Sequence, residues 1–214
     1  MTRPKGKRAL RREVSIAGIL DAAEQLFAER GYEPTSMQDV VKAAGTSIGN
    51  LYFYFENKEQ LLEALAEKAL VEAHQKGDEL AARVAPGPAR MAVIVFANAF
   101  VLLAPGSRLL GILLQTNGNA LSDHVAKRNA DRIKRYLAEN IPAVEPRMLD
   151  TAGNIWSGAG RGAIESYVRD PSVEVGELAE YLTRWNLRGV GVPEAEIDAA
   201  IVVAQHTIEE AGLA

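Results

Sequence analysis

Hydrophobic residues near the start of the chain recur at the spacing of an α-helix. Counted from the first of them, they fall at i, i+3, i+4, i+7, i+10 and i+11, at Ile16, Ile19, Leu20, Ala23, Leu26 and Phe27. This period places them on one face of an amphipathic helix. A basic residue followed by glycine, Arg30-Gly31, is typical of a helix C-terminus and predicts that the helix ends there.

Capping residues divide the next stretch of the chain into three more helices. A residue of the pair Thr35 and Ser36 predicts the start of the second helix, and Gly45 predicts its end. Thr46 or Ser47 begins a short third helix, and Asn57 begins a fourth. The first third of the chain is therefore predicted to be helical, with short connections.

Helix-breaking residues recur at helix-sized intervals through the rest of the chain. They lie at Pro86-Gly87-Pro88, Pro105-Gly106, Asn117-Gly118, Ile141-Pro142, Asp170-Pro171 and 189–193. The segments between them keep the helical period, and none alternates as a strand does. The pattern predicts an all-α protein of nine or ten helices.

Composition narrows the chemistry that such a protein could carry. The 214 residues include no cysteine and three histidines, so disulfides, thiolate metal sites and cysteine nucleophiles are excluded and a metal site is not expected. No apolar run is long enough to cross a membrane, and no secretory signal is seen, so a cytoplasmic location is expected. The glycines at 158, 160 and 162 follow no strand, and no nucleophile elbow occurs. We therefore predict neither an enzyme nor a bound cofactor.

Charge is distributed unevenly along the chain. Residues 1–58 hold 9 basic and 7 acidic side chains, whereas residues 59–214 hold 15 and 21, which together give the net charge of −4. Six of the first twelve residues are basic. This predicts a disordered basic arm over residues 1–12 that contacts a polyanion, which for DNA would be the minor groove or the flanking backbone, with a plain solvated tail as the alternative.

Residues 36–55 combine two short helices with a tight turn at Gly45. Glycine adopts the positive φ of such a turn without strain, and the arrangement is that of a helix-turn-helix. Short or planar hydrogen-bonding side chains surround the second helix, at Thr46, Ser47, Asn50, Tyr52 and Tyr54. They suit base edges and phosphates, although any helical hairpin with a glycine turn would look similar.

Residues 16–62 resemble the DNA-binding domain of the TetR family of bacterial transcriptional regulators. The matching pieces are Ala22-Ala23-Glu24-Gln25-Leu26-Phe27, Gly31-Tyr32, Thr35-Ser36, Ala43-Ala44-Gly45, Ser47, Gly49-Asn50-Leu51-Tyr52, Tyr54-Phe55 and Lys58-Glu59. The resemblance implies an N-terminal three-helix helix-turn-helix DNA-binding domain at 13–58. It also implies a C-terminal helical domain at 59–214 that binds a ligand and dimerises.

The resemblance also assigns roles to individual residues in DNA binding. Ser36 and Lys58 would bind phosphates, and Tyr52 and Tyr54 would contact the DNA backbone. The start and face of the recognition helix would read bases through Thr46, Ser47, Ile48, Gly49 and Asn50.

Two positions depart from the family pattern. Val41 replaces a small alanine, which implies slightly wider packing of the two helices. Ile48 replaces a common lysine, and here periodicity and resemblance disagree: the period would bury Ile48, whereas the family match turns it toward DNA. We follow the match and expect Ile48 to pack on a thymine methyl group.

Apolar residues of 89–116 and one tryptophan predict a ligand pocket in the C-terminal domain. The candidate lining residues are Phe96, Phe100, Leu103, Leu110, Leu113, Leu114 and Trp156. A largely apolar pocket would suit a hydrophobic or amphipathic small molecule. The alternative is a filled core without a cavity.

Residues 148–169 and 174–187 lie where family members build a four-helix dimer bundle. The candidate interface residues are Ala159, Ala163, Tyr167, Leu178, Tyr181, Leu182 and Trp185. A further helix at 194–211 would add Ile197, Ile201, Ala204 and Ile208. The glycines at 158, 160 and 162 would allow close helix packing.

Together these observations predict a homodimeric repressor that binds a palindromic or near-palindromic duplex operator and is released by a small ligand. Two other classes of protein stay open. One is an effector-independent activator or architectural DNA binder, and the other is an enzyme or small-molecule carrier with an incidental helix-turn-helix.

Overall fold

A computed structural model describes the backbone of residues 6–103 and 123–214 and the side chains of residues 16–103 and 127–214. Regular structure within these ranges is helical throughout, which confirms the all-α prediction. The α-helices are α1 (Gly6–Arg30), α2 (Met37–Ala43), α3 (Ile48–Tyr54), α4 (Lys58–Ala81), α5 (Pro88–Leu103), α6 (Asp123–Asn140), α7 (Leu149–Arg169), α8 (Val175–Gly189) and α9 (Glu194–Glu210). A 3-10 turn at Pro146–Met148 precedes α7.

The chain divides into two compact units, Met1–Ala66 and Glu67–Ala214. The division falls inside α4, beyond the boundary at residue 58 that the motif predicts. Leu61, Leu62 and Leu65, at the start of α4, are buried and belong to the first unit. The helix that the sequence assigns to the C-terminal domain therefore begins in the N-terminal one.

The predicted helix ends of the first unit are confirmed by its backbone geometry. Gly31 has a φ of 94° and Gly45 a φ of 61°, both in the left-handed region that glycine adopts without a Cβ clash. Ser36 is the cap of α2, and the side chain of Asn57 accepts a hydrogen bond from the backbone N–H of Gln60 at 2.8 Å. These local signals fix where α1, α2 and α4 begin or end.

The basic segment at 1–12 overlaps the first helix. Helix α1 begins at Gly6 and so includes residues 6–12, and the disorder expected for residues 1–12 stays a prediction. Lysine, arginine, alanine and leucine are strong helix formers, and the helix of residues 16–30 extends back through them. Residues 1–5 lie outside the described residues.

Helix α5 is the central element of the second unit. It packs against α9 and α8, while α6 packs against α7. Close approach of α6 and α7 depends on Gly153, because a Cβ there would lie 2.7 Å from the backbone oxygen of Ala130. Buried residues of several helices share one core, among them Leu80, Met91, Phe96, Leu137, Trp156, Leu187 and Ile197.

The apolar face of α9 lies in this core. Ile197, Ile201, Ala204 and Ile208 are buried, and the helix packs on α5. The expectation that these four side chains add to a dimer interface is wrong, because they are buried within their own chain, where this helix packs on the strongly apolar α5.

Candidate functional site

The helix-turn-helix of the first unit presents α3 with one buried side and one exposed side. Leu51 and Phe55 are buried, and Val40 of α2 is buried beside them in the same unit. Val41, which the sequence assigns to the contact between the two helices, is half-buried. The buried side of α3 is thus supplied by Leu51, with Phe55 directly after the helix, so the remaining side of so short a helix faces outward.

Two hydroxyl residues shape the start of α3. Ser47 caps the helix by accepting a hydrogen bond from the backbone N–H of Asn50 at 3.1 Å. The Asn50 side chain donates to the hydroxyl oxygen of Thr46 at 2.8 Å. The start of the helix is therefore held by residues that also lie at its surface.

The exposed side of α3 carries large apolar and aromatic side chains. Ile48 is 44% exposed, so the disagreement over its position is resolved against burial. Gly49 and Tyr52 are exposed as well, and Tyr54 is half-buried. Phe53, which the sequence reasoning did not select, is 69% exposed and packs edge-on to the Tyr54 ring at 5.0 Å. Its position opposite Leu51 on the helix is the signal that could have identified it.

The hydroxyl of Ser36 takes part in a capping box with Asp39. It accepts from the backbone N–H of Asp39 at 3.2 Å and donates to the Asp39 carboxylate at 2.5 Å. These hydrogen bonds hold the pKa of Asp39 below its usual value. The O–H of Ser36 is directed at Asp39, so this donor would have to turn away to reach a phosphate.

Lys58 is held against the loop that follows α1. Its ammonium group donates to the backbone oxygens of Tyr32 at 2.8 Å and Glu33 at 3.1 Å. It also lies 4.1 Å from the centre of the Tyr32 ring, whose hydroxyl has a raised pKa because it is buried. In this position Lys58 joins the start of α4 to the end of α1.

A cavity of about 120 Å³ lies within the second unit, where the sequence predicts a pocket. Its apolar wall comes from α4, α5, α6, α7 and α8 and includes Leu70, Met91, Ile94, Val95, Leu102, Leu103, Ile133, Trp156, Ile164, Leu178 and Leu182. Leu103 and Trp156 were both predicted to line it.

Two of the predicted pocket residues do not line the cavity. Phe96 is fully buried in the core, and Phe100 is half-buried, with its ring 3.7 Å from where a Cβ of Gly176 would lie. Helix α5 is apolar around much of its circumference, so its aromatic residues turn away from the cavity while neighbouring residues face it. Leu110, Leu113 and Leu114 lie outside the described residues.

One side of the cavity is polar, which the sequence reasoning missed. The polar lining residues are His74, Asn98, Asn129, Arg132, Tyr136, Ser157, Arg161 and Asn186. They are spread over five helices, so no local pattern in the sequence joins them. Only the helix packing brings them together.

The polar side is organised around Asp78. The guanidinium of Arg132 pairs with its carboxylate, and the Tyr136 hydroxyl donates to it at 2.5 Å. Burial, with this hydrogen bond, raises the pKa of Tyr136 to about 12. Burial and then the neighbouring Arg132 charge lower the pKa of His74 to about 4, so His74 is neutral at pH 7.

The predicted dimer residues of α7 and α8 fall into two groups. Tyr181 is 71% exposed and Trp185 is 49% exposed, and Ile155 of α7 is also exposed. Tyr167 is buried within the chain, and Ala163, Leu178 and Leu182 line the cavity. Each helix has two apolar sides, and periodicity does not say which of them faces the cavity.

The three glycines of α7 lie inside that helix and not in a phosphate-binding loop. A Cβ at Gly158, Gly160 or Gly162 would meet nothing within 4 Å. The expectation that they permit close packing is therefore wrong within the described part of this chain. With Ala159, which is half-buried, they make four small residues in this stretch of α7, and Arg161 between them lines the cavity.

Neither a metal cluster nor a membrane helix is found in the described ranges. No group of three or more metal-ligating side chains converges there. None of the helices within those ranges combines the length and the apolar character needed to cross a bilayer.

Comparison with known proteins connects both units to bacterial regulators. Residues 19–65 match the family model described as bacterial regulatory proteins, tetR family. The fatty acid metabolism regulator protein of Bacillus subtilis is 29% identical over 119 residues, 56% of this chain and 60% of that protein. The transcriptional regulator YvdT of the same bacterium, described as uncharacterized and HTH-type, is 44% identical over 52 residues, 24% of this chain and 27% of its own. The chain thus matches less than two thirds of the length of these relatives.

Similarity of structure extends over most of the chain. The crystal structure of RolR in complex with resorcinol has a TM-score of 0.70 and 26% identity, covering 92% of this chain and 95% of that one. FadR of Bacillus halodurans, a fatty acid degradation regulator, has a TM-score of 0.59 at 21% identity, covers 83% of this chain and 99% of its own, and shows the shared fold. The helix-turn-helix, the helical second unit and these similarities agree: residues 19–65 carry the DNA-binding segment of the TetR family of bacterial regulatory proteins, and the chain as a whole is similar to such regulators.

Proposed function

We propose that this chain is a homodimeric transcriptional repressor that binds operator DNA through α3 and releases it when a small ligand enters the cavity. The exposed side of α3 carries the proposal. A soluble protein would ordinarily bury a side chain such as Ile48 or Phe53, and apolar groups kept at a surface mark a site of interaction. A recognition helix in the major groove uses such groups against bases.

The roles proposed at the DNA follow from position on α3. Thr46 and Ser47 lie at its start, Gly49 and Asn50 on its first turn, and Ile48 faces outward where a thymine methyl group would pack. Tyr52 and Tyr54 would contact the DNA backbone. Ser36 and Lys58 stay candidates for phosphate contact, although each has a partner within the protein.

The proposed dimer forms through the exposed side of α7 and α8. Ile155, Tyr181 and Trp185 supply apolar area there, and the small residues Gly158, Ala159, Gly160 and Gly162 leave room for a second backbone. Obligate dimer interfaces are rich in apolar and aromatic side chains and often exceed about 2,000 Å². A two-fold dimer would present two copies of α3 to successive turns of the duplex, about 34–36 Å apart.

The cavity supports a ligand-controlled function for the residues that follow Ala66. RolR, a structural neighbour, was crystallised with resorcinol, and its likeness covers most of this chain. A ligand that prefers one arrangement of the dimer shifts the population toward it, and operator DNA must weaken ligand binding by the same factor.

Selection of duplexes from a random pool, followed by footprinting, tests the proposal. We expect a palindromic site protected by a dimer, with binding that weakens steeply as salt is raised. Tyr52→Ala should lower operator affinity with little change in melting temperature, whereas Val71→Ala, on α4 of the second unit, should change neither. Binding without sequence preference would contradict the proposal, and a reporter carrying the selected site distinguishes repression from activation.

A further inference from the structure

Two asparagines of the cavity wall have no hydrogen-bond partner for their side-chain oxygens. Asn186 of α8 is 2% exposed and Asn98 of α5 is half-buried, and both line the cavity. The side-chain oxygen of each is buried without a donor among the described residues. A buried amide left without a partner destabilises the folded protein, so a native structure that keeps two of them at one cavity needs a reason.

Two other side-chain amides of the same unit, one of them buried, have hydrogen-bond partners. Asn140 accepts from the backbone N–H of Gly87 at 3.1 Å and donates to the backbone oxygen of Tyr136 at 2.8 Å. Asn129, also in the cavity wall, donates to the Ser157 hydroxyl at 3.3 Å. Absence of partners is therefore a feature of Asn98 and Asn186 and not a general property of this unit.

From this contrast we infer that the cavity binds a compact, uncharged molecule with an apolar body and a hydroxyl group held by the carboxamide of Asn186 or Asn98. The inference rests on the proposed function, because it names the chemical class of the ligand that the cavity takes. The inferred ligand differs from the largely apolar one that the sequence predicts, because it carries a polar group that meets a defined wall of the cavity.

A hydroxyl matches an unpartnered carboxamide better than other groups do. It both donates and accepts, so it pairs with the oxygen or the NH₂ of the amide in either orientation of the side chain. A carboxylate only accepts, and a hydrocarbon leaves the amide without a partner. Among the described residues no hydrogen bond holds the side-chain oxygen of Asn186, so that oxygen can accept from a ligand without losing an existing partner.

Charge and size favour the same class. The positive charge of Arg132 is balanced by Asp78, and His74 is neutral at pH 7. Neither group therefore offers an uncompensated positive charge to an anionic ligand. Arg161 also lines the cavity and makes an anionic ligand the competing class to test. The volume of about 120 Å³ is close to the roughly 150 Å³ of an engineered cavity in another protein that holds benzene. A single ring therefore fits.

Calorimetric titration of the full chain with phenol, toluene and benzoate tests the inference. Phenol and toluene differ by a hydroxyl in place of a methyl group, so their affinity ratio isolates the hydroxyl. We expect phenol to bind at least about tenfold more tightly than toluene, because toluene leaves the amide unpaired. Benzoate should also bind more weakly than phenol. Toluene or benzoate binding as tightly as phenol, or no binding of any probe, would overturn the inference.

Asn186→Leu keeps the approximate size of the side chain and removes the amide. We expect the phenol-to-toluene ratio to fall to about threefold or less, while the melting temperature without ligand stays equal or rises, because an unsatisfied polar group has been removed. Asn98→Leu provides the same comparison for the other asparagine, which lies on a different helix. Asn140→Leu is the matched control: it should lower the melting temperature and keep the ratio. An unchanged ratio in both cavity variants would overturn the inference.

Operator release, measured separately, distinguishes this inference from the proposed function. If phenol binds as expected and operator binding is unaffected by any cavity ligand, the inference stands and ligand-controlled release fails. If toluene or benzoate releases the operator and phenol does not bind, ligand control stands and the hydroxyl class is wrong.

Discussion

At the scale of single residues, the cavity changes the titration of a histidine. Burial and the charge of Arg132 lower the pKa of His74 from its ordinary value of 6.5 to about 4. The unfolded chain therefore binds a proton at His74 more readily than the folded chain does. The contribution of neutral His74 to the free energy of unfolding is fully present above pH 6.5, and it is lost as the pH falls from 6.5 toward 4.

We expect this difference to be measurable by denaturant unfolding between pH 4 and 7. His74→Gln should remove a pH dependence of up to about 3 kcal/mol in the free energy of unfolding, because one pKa unit corresponds to about 1.4 kcal/mol. His206→Gln, on the exposed surface of α9, serves as the control and should keep the wild-type dependence. Parallel curves for wild type and His74→Gln would contradict the shifted pKa.

A second residue-scale prediction concerns Ile48. Because its side chain is 44% exposed, Ile48→Ala should cost little folding stability. It should weaken operator binding by about 1 kcal/mol and relax a thymine preference at one position of each half-site. Leu51→Ala, in the buried side of the same helix, should instead cost about 2–5 kcal/mol of stability. Unchanged base preference in Ile48→Ala would exclude the thymine contact.

At the scale of elements, Lys58 connects the start of α4 to the loop after α1. Its ammonium group donates to two backbone oxygens there, at Tyr32 and Glu33. Lys58→Met should therefore lower the free energy of unfolding by about 1–3 kcal/mol, because hydrogen bonds from a charged donor are lost. Lys42→Met, on the exposed surface of α2, is the control for loss of charge alone. A melting temperature equal to that of the control would argue against the connection.

The same variants separate the two roles of Lys58. A phosphate contact would lower the salt slope of operator binding by about one unit, whereas loss of the internal hydrogen bonds lowers stability without that change. We expect the stability effect, because the ammonium group is already held by backbone oxygens.

At the scale of the whole molecule, the exposed side of α7 and α8 should decide assembly. The double variant Tyr181→Arg and Trp185→Arg places two like charges on both copies of the proposed interface. We expect the dimer dissociation constant to rise at least about 100-fold, which corresponds to about 2.7 kcal/mol. Analytical ultracentrifugation checks this, with Val71→Arg as the control. A double variant that stays dimeric would place the interface elsewhere.

Features that depend on neighbouring residues are predicted from the sequence more fully than contacts between residues far apart in the chain. The ends of α1 and α2, the turn at Gly45 and the capped starts of α2 and α4 rest on neighbouring residues, and the structure confirms them. The cavity residues were only partly anticipated: Leu103 and Trp156 line it, whereas Phe96 and Phe100 do not. A hydrophobic period shows that a helix has an apolar side, and it does not show which neighbour covers that side.

The sequence by itself determined the all-helical class, the helix-turn-helix and the resemblance to the TetR family, because each depends on local spacing and on an ordered motif within a short segment. Tertiary structure alone decided that the apolar face of α9 covers α5, that Leu178 and Leu182 face the cavity, and that Asn98 and Asn186 share its wall. Those residues lie far apart in the chain, and their meeting depends on how whole helices pack. Hydrogen-bond partners between helices likewise exist only once that packing is formed, so the polar side of the cavity has no signature in the sequence.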